Sequence, residues 1–201
     1  DAEFSTDRAA LARAYFVLDI GHTYLGNPER MEYRGRALPI YEELGDDAGL
    51  SIVLNNLGLE AQIECDWDAA LTFYRRSREA CERIGDVVGA ATAVNNEAEI
   101  LLDQGYVNDA AERLRSALHV WRSARYPIGV AIASANLGLA EVRGSGYEEG
   151  LLRLEEATAL IDELGAREYV SRIYAHQLAA LLYSGRFRDA LDRADELSSL
   201  L

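Results

Sequence analysis

The residues that could do chemistry are few and scattered. His22, His119 and His176 lie far apart in the sequence. None belongs to a His-Glu-x-x-His pattern or has a second ligand at metal-site spacing. Cys65 and Cys81 form no CxxC pair and fall in helical apolar patterns, so both read as small buried residues. A Walker-type phosphate loop needs a Gly-Lys-Ser or Gly-Lys-Thr, and the chain has no lysine. "GNPERMEYRG" and "GSGYEEG" contain glycines but lack the strand that must precede a dinucleotide loop. The neighbouring carboxylates Glu42/Glu43 and Glu155/Glu156 occupy helical surface positions and read as solvated faces. Arg75, Arg76, Arg78 and Arg83, interleaved with Glu79 and Glu82, read as a salt-bridged outer face. No nucleophile, base or ligand set converges, so the sequence points to a chain that is not an enzyme, with no cofactor and no metal.

What recurs instead is an amide. Asn56, Asn96 and Asn136 are spaced by 40 residues, and His176 takes the next place. Asparagine is a poor helix-interior residue, because its side chain competes for the backbone hydrogen bonds. Its return at a fixed interval therefore needs a reason.

The elements that carry this column repeat with the same period. Trp67, Val107, Tyr147 and Phe187 align, as do Ala70, Ala110, Gly150 and Ala190. Within a unit the apolar spacing is helical: Ile52, Val53, Leu57, Ala61 and Ile63 form one stripe, and Leu71, Tyr74, Cys81 and Ile84 the next. Asp66 offers an N-cap between them. Gly45, Gly85 and Gly165 end units, with Arg125 at the fourth equivalent place. The pattern predicts ten helices in five hairpins, over about 6–25 with 28–44, 46–64 with 67–84, 86–104 with 107–124, 126–143 with 147–164, and 166–184 with 187–201. Pro39 falls inside a helix and predicts a kink near Arg36–Pro39. Small residues at Ala70, Ala110, Gly150 and Ala190, with Gly58 and Gly138, let paired helices approach closely. Trp67, Val107, Tyr147 and Phe187 are expected to fill the space between hairpins.

Residues 7–201 read as a single domain with units 7–45, 46–85, 86–125, 126–165 and 166–201. Residues 1–6 read as a cloning remnant or a disordered end. The first residue is not Met, and "ELSSLL" carries no helix stop, so the chain reads as a fragment of a larger protein. The formal charge of −14 repels phosphate backbones, which argues against nucleic acid and favours a basic or neutral partner. No apolar run approaches the roughly 18 residues of a membrane span, and there is no signal peptide. The expected location is cytoplasmic.

The segments "NNLGLEAQIECDWDAALTFY", "EILLDQGYVNDAAERL" and "AALLYSGRFRDALDRA" resemble tetratricopeptide repeats (TPRs). The family's Leu-Gly pair, turn aromatic, alanine and second-helix aromatic match Leu57, Gly58, Trp67, Ala70 and Tyr74. Later units keep Gly105 and Ala110, then Leu137, Gly138 and Tyr147, then Gly185, Phe187 and Ala190. Glu97 and Gln177 stand where the family has leucine, so those helices are expected to be less well anchored. The period of 40 exceeds the family's 34. The resemblance implies an all-α fold: a right-handed α-solenoid of about five antiparallel hairpins, a TPR-like superhelix.

"DRAALARAYFVLD", "RALPIYEELGD", "FYRRSREACERIGD", "NEAEILLDQG" and "ALHVWRSARYPIGVA" are similar to the C-terminal array of actinobacterial class III adenylate/guanylate cyclase–ATPase proteins. That likeness implies a non-catalytic interaction and regulatory module controlling an attached cyclase or ATPase. Its partner would be a protein or peptide, including another domain of the same chain. A free-standing adaptor and a small-molecule effector-sensing array of a transcriptional regulator are the alternatives. In TPR arrays the first helices line the concave face. The implied groove comprises Asn56, Asn96, Asn136 and His176, with Leu59, Ile63, Glu99, Asp103, Leu139, Arg143 and Arg172. Two readings of the amide column stay open: hydrogen bonds to a bound peptide backbone, or hydrogen bonds that orient adjacent hairpins. The groove's acidic middle suggests a ligand with a basic or amide-rich centre and apolar anchors. Oligomeric state and ligand identity are not set by the sequence.

Overall fold

The structure, a computed structural model, describes residues 7–25, 30–166 and 169–200. Among them are ten helices and no strand: α1 (Arg8–Tyr24), α2 (Arg30–Leu44), α3 (Asp47–Ile63), α4 (Trp67–Ile84), α5 (Val87–Asp103), α6 (Val107–Ser123), α7 (Pro127–Arg143), α8 (Tyr147–Leu164), α9 (Val170–Tyr183) and α10 (Phe187–Leu200). The expected spans hold within a few residues; α9 starts later than the pattern suggests. The expected end segment 1–6 lies outside the described residues.

The local signals act as their chemistry requires. Asp46, Asp66 and Asp86 each accept a backbone N–H three residues on, at 3.0, 3.1 and 2.9 Å, and so satisfy orphan donors at three helix starts. Pro127 opens α7, where its missing N–H costs nothing. Pro39 sits inside α2, which spans Arg30 to Leu44. The first helix of each later hairpin closes on one residue with positive φ: Cys65 (61°), Gly105 (85°), Ser145 (74°) and Gly185 (74°). Cys65 is therefore not the buried helical residue that its apolar flanks suggest; it is exposed at a turn. Arg125, at the unit-end glycine position, also takes positive φ (54°).

The chain divides into two compact units, residues 1–93 and 94–201, with the boundary inside α5. In the first unit, Ala12, Ala37, Ile40, Tyr41, Val53, Leu54 and Ala80 form the core. In the second, the core includes Ala131, Val142, Leu154, Ile161, Ile173 and Ala180. In two hairpins, α3 with α4 and α7 with α8, the paired helices meet closely at a glycine. A Cβ on Gly58 would come within 2.5 Å of the Tyr74 ring. Gly138 and Gly150 bring two backbones together, since a Cβ on Gly150 would lie 2.6 Å from the Gly138 carbonyl oxygen. The turn aromatics do less than expected. Tyr147 is 36% and Phe187 64% exposed, because the first residue of a second helix sits at the hairpin's edge.

In the first hairpin the facing pair is charged. Asp19 and Arg34 are both buried, and the Arg34 guanidinium donates to Asp19, to Glu60 at 2.9 Å and to the Asn56 carbonyl at 3.2 Å. The exposed arginine face of α4 is salt-bridged as expected, though its partners lie mostly on other helices. Arg76 pairs with Glu42, and Arg83 holds Asp47 by two contacts of 2.7 and 3.0 Å.

Two substitutions test the tight points. Cys65→Gly removes a side chain from a left-handed turn and should stabilise the protein by about 1 kcal/mol. Gly150→Ala forces a methyl onto rigid backbone and should destabilise it by about 1–3 kcal/mol. Urea unfolding reads both; shifts in the same direction would refute one of the two arguments.

Candidate functional site

The second unit gathers the polar column residues on three successive first helices. α5 contributes Asn95, Asn96, Glu99 and Asp103, α7 contributes Asn136 and Arg143, and α9 contributes Arg172 and His176. Asn95 and Glu99 are four residues apart, so they share one face of α5.

Glu99 is the centre. One of its carboxylate oxygens accepts from Asn95 Nδ2 and from Asn136 Nδ2, each at 2.8 Å. The other accepts from the Arg172 guanidinium, which reaches from α9. Asn136 Nδ2 also donates to Asn95 Oδ1 at 3.1 Å. Asn136 is 1% exposed, so its amide is fully committed to the neighbouring first helix. At this residue the amide makes the inter-hairpin bond that was one of the two open readings. A buried carboxylate with three donors is well satisfied, and truncating any donor would leave unmet polarity.

Around this centre the groups are graded in exposure. Asn96, Glu99 and Leu139 are buried, Arg143 and His176 are partly buried, and Asp103 and Arg172 are exposed. Arg143 donates to the Leu102 carbonyl at the end of α5 and lies 3.9 Å from Asp103. The Arg143 Nε and the His176 Nδ1 are buried with no hydrogen-bond partner. Burial, reinforced by the guanidiniums of Arg172 and Arg143, holds the His176 imidazole at about 4, well below its ordinary 6.5.

The remaining sequence-predicted residues are in the first unit. Asn56 is half-buried and offers its carbonyl, rather than its amide, to Arg34. Leu59 and Ile63 are 40% and 76% exposed on α3. The structure thus brings Asn96, Asn136, His176, Glu99, Asp103, Leu139, Arg143 and Arg172 into one unit, and Asn56, Leu59 and Ile63 into the other.

Three polar features were missed by the sequence reading. Asn95, the neighbour of the column residue Asn96, is the one that bonds Glu99 and Asn136; its spacing of four from Glu99 was the available signal. Glu97 and Gln177, which stand where the family has leucine, are buried, and each has a polar partner, while the Gln177 Oε1 is buried without one. Glu97 takes Arg113 at 2.7 Å, and Gln177 donates to Thr158 Oγ1 at 2.9 Å. The Asp19–Arg34–Glu60 cluster has only a register signal: Arg34 stands 40 residues before Tyr74. Among the described residues no His, Cys, Asp and Glu group is arranged to hold a metal. None of the described helices is long and apolar enough to cross a membrane.

No family model matches the sequence, and no curated protein matches it. Solved structures do. RapI, in its apo form, superposes with a TM-score of 0.73 at 11% identity, over 94% of this chain and 69% of that one. A signal-transduction ATPase with a tetratricopeptide repeat sensor, from Pyrococcus horikoshii, gives 0.72 at 15% identity, over 96% of this chain and 30% of that one. A kinesin light chain protein of TPR-like repeats from Podosopora anserina gives 0.65 at 13% identity, over 98% and 97%. The chain therefore spans under a third of the Pyrococcus protein's length. At these identities the likeness establishes the fold, a TPR-like α-solenoid.

The His176 environment makes a pH prediction. Its lowered value means that the folded state favours the neutral ring, while the unfolded chain takes up a proton below about 6.5. The stability it contributes is complete above pH 6.5 and is lost as pH falls toward about 4. His176→Asn, the side chain of the preceding units, should flatten this loss. Urea-unfolding free energies across that range measure it, and parallel curves for variant and wild type would overturn the assignment.

Proposed function

We propose that this chain is a non-catalytic recognition module. It takes a protein segment along the first helices of its second unit, and within a longer protein it regulates an attached signalling enzyme of the cyclase or ATPase type. The observation that carries this reading is the rigid polar base formed by Asn95, Glu99 and Asn136, beneath solvent-facing Asp103 and Arg172. Groups whose positions are fixed by their own hydrogen bonds lose little entropy on binding. The fold shared with the tetratricopeptide repeat sensor of the Pyrococcus signal-transduction ATPase supports the regulatory role.

This reading takes the column residues as follows. Asn96, Asn136, Glu99 and Leu139 form the floor, and Asp103, Arg143, Arg172 and His176 meet the ligand. Asn56, Leu59 and Ile63 belong to α3 of the first unit, where Leu59 and Ile63 are exposed. The ligand is a protein or peptide segment, not nucleic acid.

The test uses segments of the full-length parent protein, tiled as labelled peptides and titrated by fluorescence anisotropy. The Asn96→Ala, Asn136→Ala double variant should bind the best segment about tenfold more weakly. Circular dichroism and urea unfolding confirm that the variant is folded. Unchanged affinity in a folded variant would overturn the recognition surface.

A further inference from the structure

We propose that the cavity enclosed by α8, α9 and α10 binds a short aliphatic diamine as a free small molecule. This site is separate from the recognition surface of the first helices and does not depend on it.

The cavity measures about 170 Å³, and Gln177 of α9 is part of its wall. Gln177 is 3% exposed, and its Oε1 is buried with no hydrogen-bond partner. The direction of that amide is fixed by its neighbours. The Thr158 hydroxyl donates to the Leu154 carbonyl at 2.9 Å, so its oxygen has only acceptor capacity left. Gln177 Nε2 donates to that oxygen at 2.9 Å and to the same Leu154 carbonyl at 3.4 Å. Neither Thr158 nor Leu154 lines the cavity, which leaves Oε1 as the end of the amide turned toward it. A buried acceptor without a donor costs free energy, and a ligand N–H removes that cost.

The rim decides the charge of the ligand. Its two guanidiniums are committed: Arg186 to Asp189 at 2.6 Å, and Arg193 to Glu196 at 2.7 Å. Glu155 and Asp192 also line the cavity, and both are exposed. Among the described residues neither has a hydrogen bond or an ion pair. Two carboxylates thus remain for two positive charges. No group of acidic residues among the described ones is arranged to hold a metal, so the cation is organic. Leu151 and Leu181, each 6% exposed, give the cavity apolar wall for methylenes. At roughly 30 Å³ per water, the space equals about six waters, the size of a chain of about six non-hydrogen atoms. 1,4-Diaminobutane meets each requirement: N–H donors, two charges and a methylene chain. A lysine side chain of a partner brings one charge and leaves the second carboxylate unmatched.

Isothermal titration calorimetry of the whole 201-residue chain with 1,4-diaminobutane, at physiological ionic strength, tests the site. Saturable binding of one molecule per chain is expected, about tenfold tighter than 1-aminobutane or the peptide acetyl-Gly-Lys-Gly-amide. Glu155→Gln and Asp192→Asn should each weaken it about tenfold. Glu163→Gln, on the same helix as Glu155 but outside the cavity, should leave it unchanged, which separates the site from the general pull of a chain of charge −14. Gln177→Leu should abolish binding without unfolding the chain, because leucine fills the same column at Leu57 and Leu137; urea midpoints check this. The rim variants change exposed side chains and keep the test independent of that core substitution. No saturable binding, which would mean a cavity holding water only, overturns the proposal. So does equal affinity for 1-aminobutane, tighter binding of the lysine peptide, an equal loss in Glu163→Gln, or full affinity in either rim variant.

Discussion

Everything in this fold depends on how closely the two helices of a hairpin can approach. A lone hairpin buries only one face, so its interior must be made at a facing pair of positions, one on each helix. Gly58 under Tyr74, and Gly138 against Gly150, settle that distance by removing side-chain atoms from one or both sides. Once the distance is set, the rest of each helix falls into a register that recurs after 40 residues, and the amide column follows from that register.

The chain also uses charge at places where its own repeats use size. Asp19 and Arg34 occupy the facing position of the first hairpin. Glu97 and Gln177 stand in the column held elsewhere by Leu57 and Leu137. In each instance a partner accompanies the polar group: Arg34 bridges to Glu60, Arg113 to Glu97, and Thr158 to Gln177. Such pairs contribute less to stability than packed apolar groups do, because desolvation offsets much of their attraction. They are directional, however, and direction distinguishes one repeat from the next in an array whose apolar faces are nearly interchangeable. An array of identical leucine columns could slip by a whole repeat; one marked by a carboxylate here and an amide there cannot do so without breaking hydrogen bonds.

Periodicity made the helices and hairpins legible, because apolar spacing and capping residues report on neighbours within about one turn. The aspartate caps at 46, 66 and 86 and the unit-end glycines needed nothing beyond local chemistry. Cys65 was misread for the same reason: its flanks look helical, and only comparison with Gly105, Ser145 and Gly185 marks it as a turn residue. The site was legible as a set of column members but not as a network. Which amide meets which carboxylate depends on distances between helices, and the sequence encodes those only through the small residues that set them. Asn136 and Glu99, 37 positions apart, could be placed on first helices, but not at hydrogen-bond distance from one another. The sequence shows that the middle of the column is acidic, but not how its carboxylates are paired. A sum over side chains counts Glu99 as an open negative site, whereas the folded chain spends it on three internal donors.

That single carboxylate has a mechanical meaning. Glu99 ties α5 to α7 through Asn136 and to α9 through Arg172, so the first helices of three successive hairpins share one acceptor. Hydrogen bonds tolerate a few tenths of an ångström before they weaken. The three helices therefore cannot slide or roll independently while all of these bonds persist. The second unit behaves at this point like a latch with one moving part, the long arginine arm from α9. Lifting that arm would release one of these ties and leave α9 held by the apolar core it shares with α7 and α8.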